Sequence, residues 1–275
     1  MSTNNSSTVF LYGSKAGRAL LEFMLFIKVP KLLGAFLRSP LSHGMIDSFI
    51  KKNQIPMDEF KGQKYRSFND FFTRKKEITF DKDEQHFISP CDSLLSIYNI
   101  TKESSFHIKG ADYTISDFLQ NKELEASYSD GLCLVFRLCA TDYHRYCYID
   151  DGAIGKNHYI EGKLYSVQPL PCEKYRVYTK NRRSWAILST KHFDDVAQIE
   201  VGAFSVGGIK NHHEDYDFKK GEEKGYFDLH GSTIVLLIKK DKIKLLPEIE
   251  QGTANGCEYR VKIGQHIANA CITNS

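Results

Sequence analysis

The sequence predicts an α+β fold, with a helical N-terminal segment followed by a mostly antiparallel β domain with few helices. Three observations carry that expectation. Apolar residues recur at helical spacing from about 16 to 53, and short Val/Leu/Ile-rich runs set apart by turn residues dominate beyond 86. No strand–helix–strand rhythm links those runs, so a doubly wound parallel sheet is not expected. The expected division is a helical, membrane-interface segment over 1–60 and a β-rich domain over 61–275. With 275 residues, 41% of them hydrophobic and 26% charged, the chain has the length and composition for a large core.

Residues 1–13 read as a flexible lead. The helical stretch that follows is broken by Pro30 and by Ser39-Pro40. Ser67-Phe68-Asn69-Asp70-Phe71-Phe72-Thr73-Arg74-Lys75 reads as a short helix that Ser67 can cap, with its phenylalanines facing inward. Strands are expected over Leu94–Ile100, Leu132–Leu138, Ala186–Leu188, Ala197–Val206, Ile234–Lys239 and Tyr259–Ile263, with one helix near Ile115–Asn121 among them. There is no internal repeat.

A net charge of +3 gives no reason to expect nucleic acid. Charge is uneven, however: residues 1–40 hold Lys15, Arg18, Lys28, Lys31 and Arg38 against Glu22 alone. Their apolar runs fall short of the ~20 residues of a spanning helix. Such a segment suits the interface of an anionic bilayer, or a helix pair docked on the protein's own core. The seven scattered cysteines form no Cys-x-x-Cys and fit a reducing compartment. The N-terminus lacks the order of a signal peptide, so the chain reads as cytoplasmic.

Several stretches can carry chemistry. In Phe227-Asp228-Leu229-His230-Gly231-Ser232-Thr233 the Ser232 hydroxyl can add to the unhindered Gly231 carbonyl, though Gly-Ser-Thr is also a common turn into a strand. In Asp142-Tyr143-His144-Arg145-Tyr146-Cys147, His144 can act as a general base, hold an anion together with Arg145, or simply hydrogen-bond at a strand end. Asp92, in Ser89-Pro90-Cys91-Asp92, either caps its own turn or orients a histidine. Val201 to Gly208 reads as a glycine-rich strand, and His212-His213 as a solvated pair, so no metal site is expected.

Taken in order, these segments resemble the phosphatidylserine decarboxylase family from about Ser67 to Ile267. The resemblance rests on Phe68-Asn69-Asp70-Phe71-Phe72-Thr73-Arg74, Ser89-Pro90-Cys91-Asp92, Asp142-Tyr143-His144-Arg145 and Val201-Gly202-Ala203. It continues through Gly221-Glu222-Glu223-Lys224-Gly225-Tyr226-Phe227 with Gly231-Ser232-Thr233, and ends in Glu258 to Gly264.

The resemblance implies self-cleavage between Gly231 and Ser232 into chains 1–231 and 232–275, which remain together as a heterodimer. Ser232 would become a pyruvoyl group, the electron sink for converting phosphatidylserine to phosphatidylethanolamine and CO2. It also implies peripheral attachment to the cytoplasmic face of an anionic phospholipid membrane, no nucleic-acid partner, and His144 as the acid that reprotonates the product carbon. A homodimer is left open. One departure stands out. The family has a second histidine where Cys147 lies here, paired with the turn aspartate, which is Asp92, to activate the serine. The base is therefore open among Cys147, His144, His230 and His212-His213. Two other readings remain: a pyruvoyl decarboxylase of a soluble amino acid, and a lipid-binding relative that does not cleave itself.

Overall fold

The structure, a computed structural model, describes residues 6–271 apart from 28, 109–110, 164, 167–168, 175, 203–207 and 230–231. The helices are α1 (Ser6–Gly13), α2 (Lys15–Phe26), α3 (Val29–Arg38), α4 (Ile46–Asn53), α5 (Phe68–Phe72), α6 (Ile115–Leu119), α7 (Pro169–Lys174), α8 (Val177–Lys180) and α9 (Pro247–Thr253). The strands are β1 (His86–Ile88), β2 (Ser93–Asn99), β3 (Ser105–Ile108), β4 (Ala111–Thr114), β5 (Leu132–Leu138), β6 (Arg145–Cys147), β7 (Gly152–Ile154), β8 (His158–Ile160) and β9 (Arg183–Thr190). They continue with β10 (Asp194–Val201), β11 (Gly208–Asn211), β12 (Tyr216–Phe218), β13 (Glu223–Asp228), β14 (Ser232–Ile238), β15 (Ile243–Leu245), β16 (Tyr259–Val261) and β17 (His266–Ala270).

The α+β expectation holds. A nine-stranded sheet runs β12-β7-β9-β10-β14-β5-β2-β16, with β8 also on β9, and its named strands pair antiparallel. Smaller sheets are β1-β17-β15, β11-β13-β6 and β3-β4. The large sheet is covered on both faces. Leu134, Phe136, Ile234 and Leu236 enter one core, and Cys133, Val135, Val235 and Leu237 the other. This two-sided burial explains why β14 reads as a continuous apolar run rather than an alternating one.

The N-terminal lead needs correction. Residues 6–13 form α1, because Tyr12 is buried edge-on against Tyr165 and its hydroxyl accepts a hydrogen bond from Ser166 N–H at 2.8 Å. Sequence periodicity does not report such a distant partner. Glu22, the lone acid of the first forty residues, ties α2 to the β domain through Tyr165 and Lys163 at 2.6 and 2.9 Å. Beyond Leu21 and Leu37, which are buried, much of the apolar surface of α2 and α3 faces outward: Leu20, Phe23, Phe26, Leu32, Leu33 and Phe36 are exposed. Among the described residues no helix is long and apolar enough to cross a membrane.

Several strands lie close to expectation, notably β5, which spans Leu132–Leu138. The strand expected to run to Val206 ends at Val201 as β10, and 203–207 lie outside the described residues. The helix at Ile115 stops at Leu119, where Gln120 turns left-handed with φ 51. As expected, Ser67 caps α5 by accepting from Asp70 N–H at 3.2 Å, and Phe68, Phe71 and Phe72 are buried.

Candidate active site

Ser232 is the first residue of β14, 1% exposed, opposite Leu138 of β5. Alternation along the strand puts it on the same face as Ile234, whose cross-strand partner is Glu200 of β10. Gly231 and His230 lie outside the described residues. The two residues before them are held by the N-terminal helices. Asp228 forms an ion pair with Arg38 at 2.5 Å, and Leu229 is buried among Leu37, Ile46, Ile55, Phe68, Phe71 and Phe72. Leu229 also has φ +60, a left-handed conformation that side chains resist and that persists only when packing imposes it.

His144 lies just before β6, and its carbonyl accepts from Phe227 N–H at 2.9 Å, five residues before Ser232. It is buried, with its ring 4.0 Å from that of Phe72. Its Nδ1 is 2.8 Å from the Asp142 carbonyl. A carbonyl oxygen only accepts, so Nδ1 carries the proton and Nε2 is the basic nitrogen. Asp142 is itself fixed, accepting from Cys139 N–H at 2.7 Å and pairing with Arg260 at 2.9 Å. Burial pushes its carboxyl up, against the pull of Arg260.

The other residues singled out in the sequence are committed elsewhere. Asp92 accepts from Ile263 N–H at 2.9 Å and from Lys262 Nζ at 3.0 Å, so its two oxygens fasten the Ser-Pro turn to the end of β16. Cys147 is fully buried with Sγ 4.0 Å from the Ser89 carbonyl, and burial pushes its thiol up to about 12. Arg145 donates to the Thr73 and Arg74 carbonyls and pairs with Glu223 at 2.7 Å, so its guanidinium is already engaged. His212 binds Glu223 at the start of β13, whereas Asp228 ends that strand about 17 Å away at strand rise. His212 and His213 are each paired with a glutamate, Glu223 at 2.7 Å and Glu222 at 3.8 Å.

Sequence reasoning missed a buried ion pair. Lys224 Nζ donates to Glu200 Oε1 at 2.7 Å, both side chains are 0% exposed, and Asn211 and Gln198 complete the network. The available signal was a lone acid inside the apolar run of β10. Glu200 shares the Ser232 face, roughly 7–8 Å along the diagonal, and so anchors β13 beneath that end of the sheet. The fold also brings Asp81, His86 and His266 within 4.8 Å of one another, although no metal spacing exists in the sequence. The two rings stack 3.6 Å apart at 5°, so one ion cannot lie in both ring planes unless a ring turns.

Known proteins resemble this chain over the same elements. A family model described as phosphatidylserine decarboxylase matches residues 68–269. Phosphatidylserine decarboxylase proenzyme 2 of Clostridium acetobutylicum is 42% identical over 267 residues, covering 96% of this chain and 91% of that protein. The phosphatidylserine decarboxylase proenzyme of Clostridium novyi is 39% identical over 267 residues, covering 94% of this chain and 90% of its own length. That of Clostridium botulinum strain Eklund 17B is 36% identical over 270 residues, covering 95% and 91%.

Proposed function

Because the chain belongs to the phosphatidylserine decarboxylase family, we propose that it cuts itself between Gly231 and Ser232 and then converts phosphatidylserine to phosphatidylethanolamine and CO2. The observation that carries this reading is the family match across 68–269, which includes the Gly-Ser-Thr step at the head of the buried strand β14.

In the cleavage, the Ser232 hydroxyl adds to the Gly231 carbonyl and gives its proton to His144 Nε2. The Gly231–Ser232 amide bond breaks as the ester forms, and the freed amine takes a proton. Loss of the Ser232 Cα proton then expels the Gly231 carboxylate from Cβ. Water replaces the nitrogen, which leaves as ammonia. The tautomer set by the Asp142 carbonyl supports His144 as the base. The raised thiol of Cys147, and the commitment of Asp92 to Lys262 and Ile263, count against a relay through those two residues.

Ser232 is buried, and burial strengthens the electrostatic interactions that act on a pyruvoyl group formed there. Once formed, that group supplies an electron sink for the pair left behind as CO2 departs. His144 then returns a proton to the product carbon.

The N-terminal helices are the proposed membrane contact. Phe26 and Leu32 are 81% and 69% exposed and lie among Lys15, Arg18 and Lys31, a pattern suited to the headgroup region of an anionic bilayer. The seven cysteines, all free thiols, fit a reducing compartment and hence the cytoplasmic face.

Intact mass tests the cleavage: the wild type should give chains 1–231 and 232–275 with a blocked new N-terminus, and Ser232→Ala should stay whole. A single full-length wild-type species after long incubation would overturn the enzyme reading. A Phe26→Asp/Leu32→Asp variant should lose at least tenfold of its activity on phosphatidylserine vesicles and keep its activity on water-soluble glycerophosphoserine. Equal activity on both substrates would remove the membrane role of these helices.

A further inference from the structure

Next to the His144 loop lies a polar cavity of about 160 Å³, whose wall includes Asp142 and Tyr143, the two residues that precede His144. Three carboxylates line it, and each already has a cation. Glu59 pairs with Lys76 at 2.7 Å, Asp92 with Lys262 at 3.0 Å, and Asp142 with Arg260 at 2.9 Å. Arg74 is the cation left over in that wall. Among the described residues no carboxylate pairs with its guanidinium.

Arg74 is nevertheless only 6% exposed. Its Nε has no hydrogen-bond partner, and its one side-chain hydrogen bond is a long one, from Nη1 to the Phe71 carbonyl at 3.4 Å. The rings of Phe60 and Phe71, 5.0 and 4.9 Å away, hold the planar group between them. Cation–π contact offsets part of the desolvation, but it satisfies none of the five N–H donors. A buried guanidinium with unused donors beside a cavity is built to receive a planar pair of acceptor oxygens. Asp92 and Asp142 act on Arg74 only through their fields.

We propose that this cavity is an oxyanion site in which Arg74 makes a bidentate pair with a phosphate group, that of the phosphodiester in the lipid substrate. The identity of that ligand rests on the decarboxylase reading; the anion site rests on Arg74 itself. The position suits it. Phe72, two residues before Arg74, lies with its ring 4.0 Å from that of His144 and tilted by 37°, so a headgroup phosphate at Arg74 lies on the approach to the reacting end. Arg74 would thus be a specificity residue that selects phosphorylated serine over free serine.

The test compares wild type, Arg74→Gln and Arg74→Lys, with self-cleavage as the check that each has folded. Millimolar inorganic phosphate should raise the wild-type melting temperature and compete with dispersed short-chain phosphatidylserine. Arg74→Gln should lose both effects and show at least a tenfold rise in KM with kcat within about threefold. Arg74→Lys, which keeps the charge but not the fork, should fall between them. Unchanged KM in both variants, or equal phosphate protection in all three proteins, would overturn the proposal. Arg74-dependent protection that does not compete with lipid would overturn the headgroup assignment in favour of a free-phosphate site. If the wild type decarboxylates nothing yet phosphate protection still requires Arg74, the anion site stands and the decarboxylase reading falls.

Discussion

Cys147 and His144 stand three residues apart and have opposite proton chemistry, because their surroundings differ. The Cys147 thiol faces a carbonyl in an apolar core, and burial pushes it up to about 12. The thiol therefore stays protonated near neutral pH, where the thiolate would be the reactive form. The His144 ring is oriented by a carbonyl that fixes its tautomer and leaves Nε2 as the basic nitrogen. Cys147→Ser should therefore cut itself within about threefold of the wild-type rate, whereas His144→Gln should slow cutting by about 10² or more, the usual worth of a general base. Both rates are read by following the full-length band with time. Cleavage that fails in Cys147→Ser and survives in His144→Gln would reverse the assignment.

Between elements, the decisive contact is the one that N-terminal helices make with the end of β13. Arg38 closes α3 and grips Asp228, while Leu229 fills the pocket formed by α3, α4 and α5. A leucine at φ +60 stores about 1–3 kcal/mol of backbone strain, which the packing of its side chain must outweigh. The helices thus help aim the segment that leads into the Gly231–Ser232 bond, besides exposing apolar side chains on their outer face. Leu229→Ala should slow self-cleavage and destabilise the precursor by about 2–5 kcal/mol, the typical cost of emptying a leucine site. Urea unfolding of a Ser232→Ala background, which stays uncut, measures the second effect separately from the first. An unchanged cleavage rate would leave the helices no part in aiming that bond.

Across the whole molecule, cutting at Gly231–Ser232 would leave β14, β15, β16 and β17 on the shorter piece. β14 lies between β10 and β5, so it is hydrogen-bonded on both edges to the longer piece. Buried or half-buried ion pairs reinforce that joint: Arg137 with Glu258 at 2.6 Å, Arg260 with Asp142 and Lys262 with Asp92. The two chains should co-elute on size exclusion in native buffer and separate only in denaturant, and once separated they should not recover activity on mixing as fast as the intact precursor matures. Separation in buffer alone would contradict the woven sheet.

Much of this was legible in the residues themselves. The α+β class, the α5 helix with its Ser67 cap, the strand Leu132–Leu138 and the Gly-Ser-Thr step each depend on neighbours a few positions away, and local periodicity and turn chemistry report them. Other features needed the fold. α1 is ordered by Tyr165, the Glu200–Lys224 pair joins residues 24 positions apart, and Asp92 meets Lys262 across 170 positions. Sequence alone determined that Ser232 heads a buried strand in a self-cleaving pattern. Only tertiary structure decided that Cys147 faces a carbonyl, that Asp92 is tied down, that Leu229 is clamped by the helices and that no carboxylate among the described residues pairs with Arg74. The reason is physical: strand and helix periods are local properties of the chain, whereas the partner of a charge is set by sheet register and packing between distant segments.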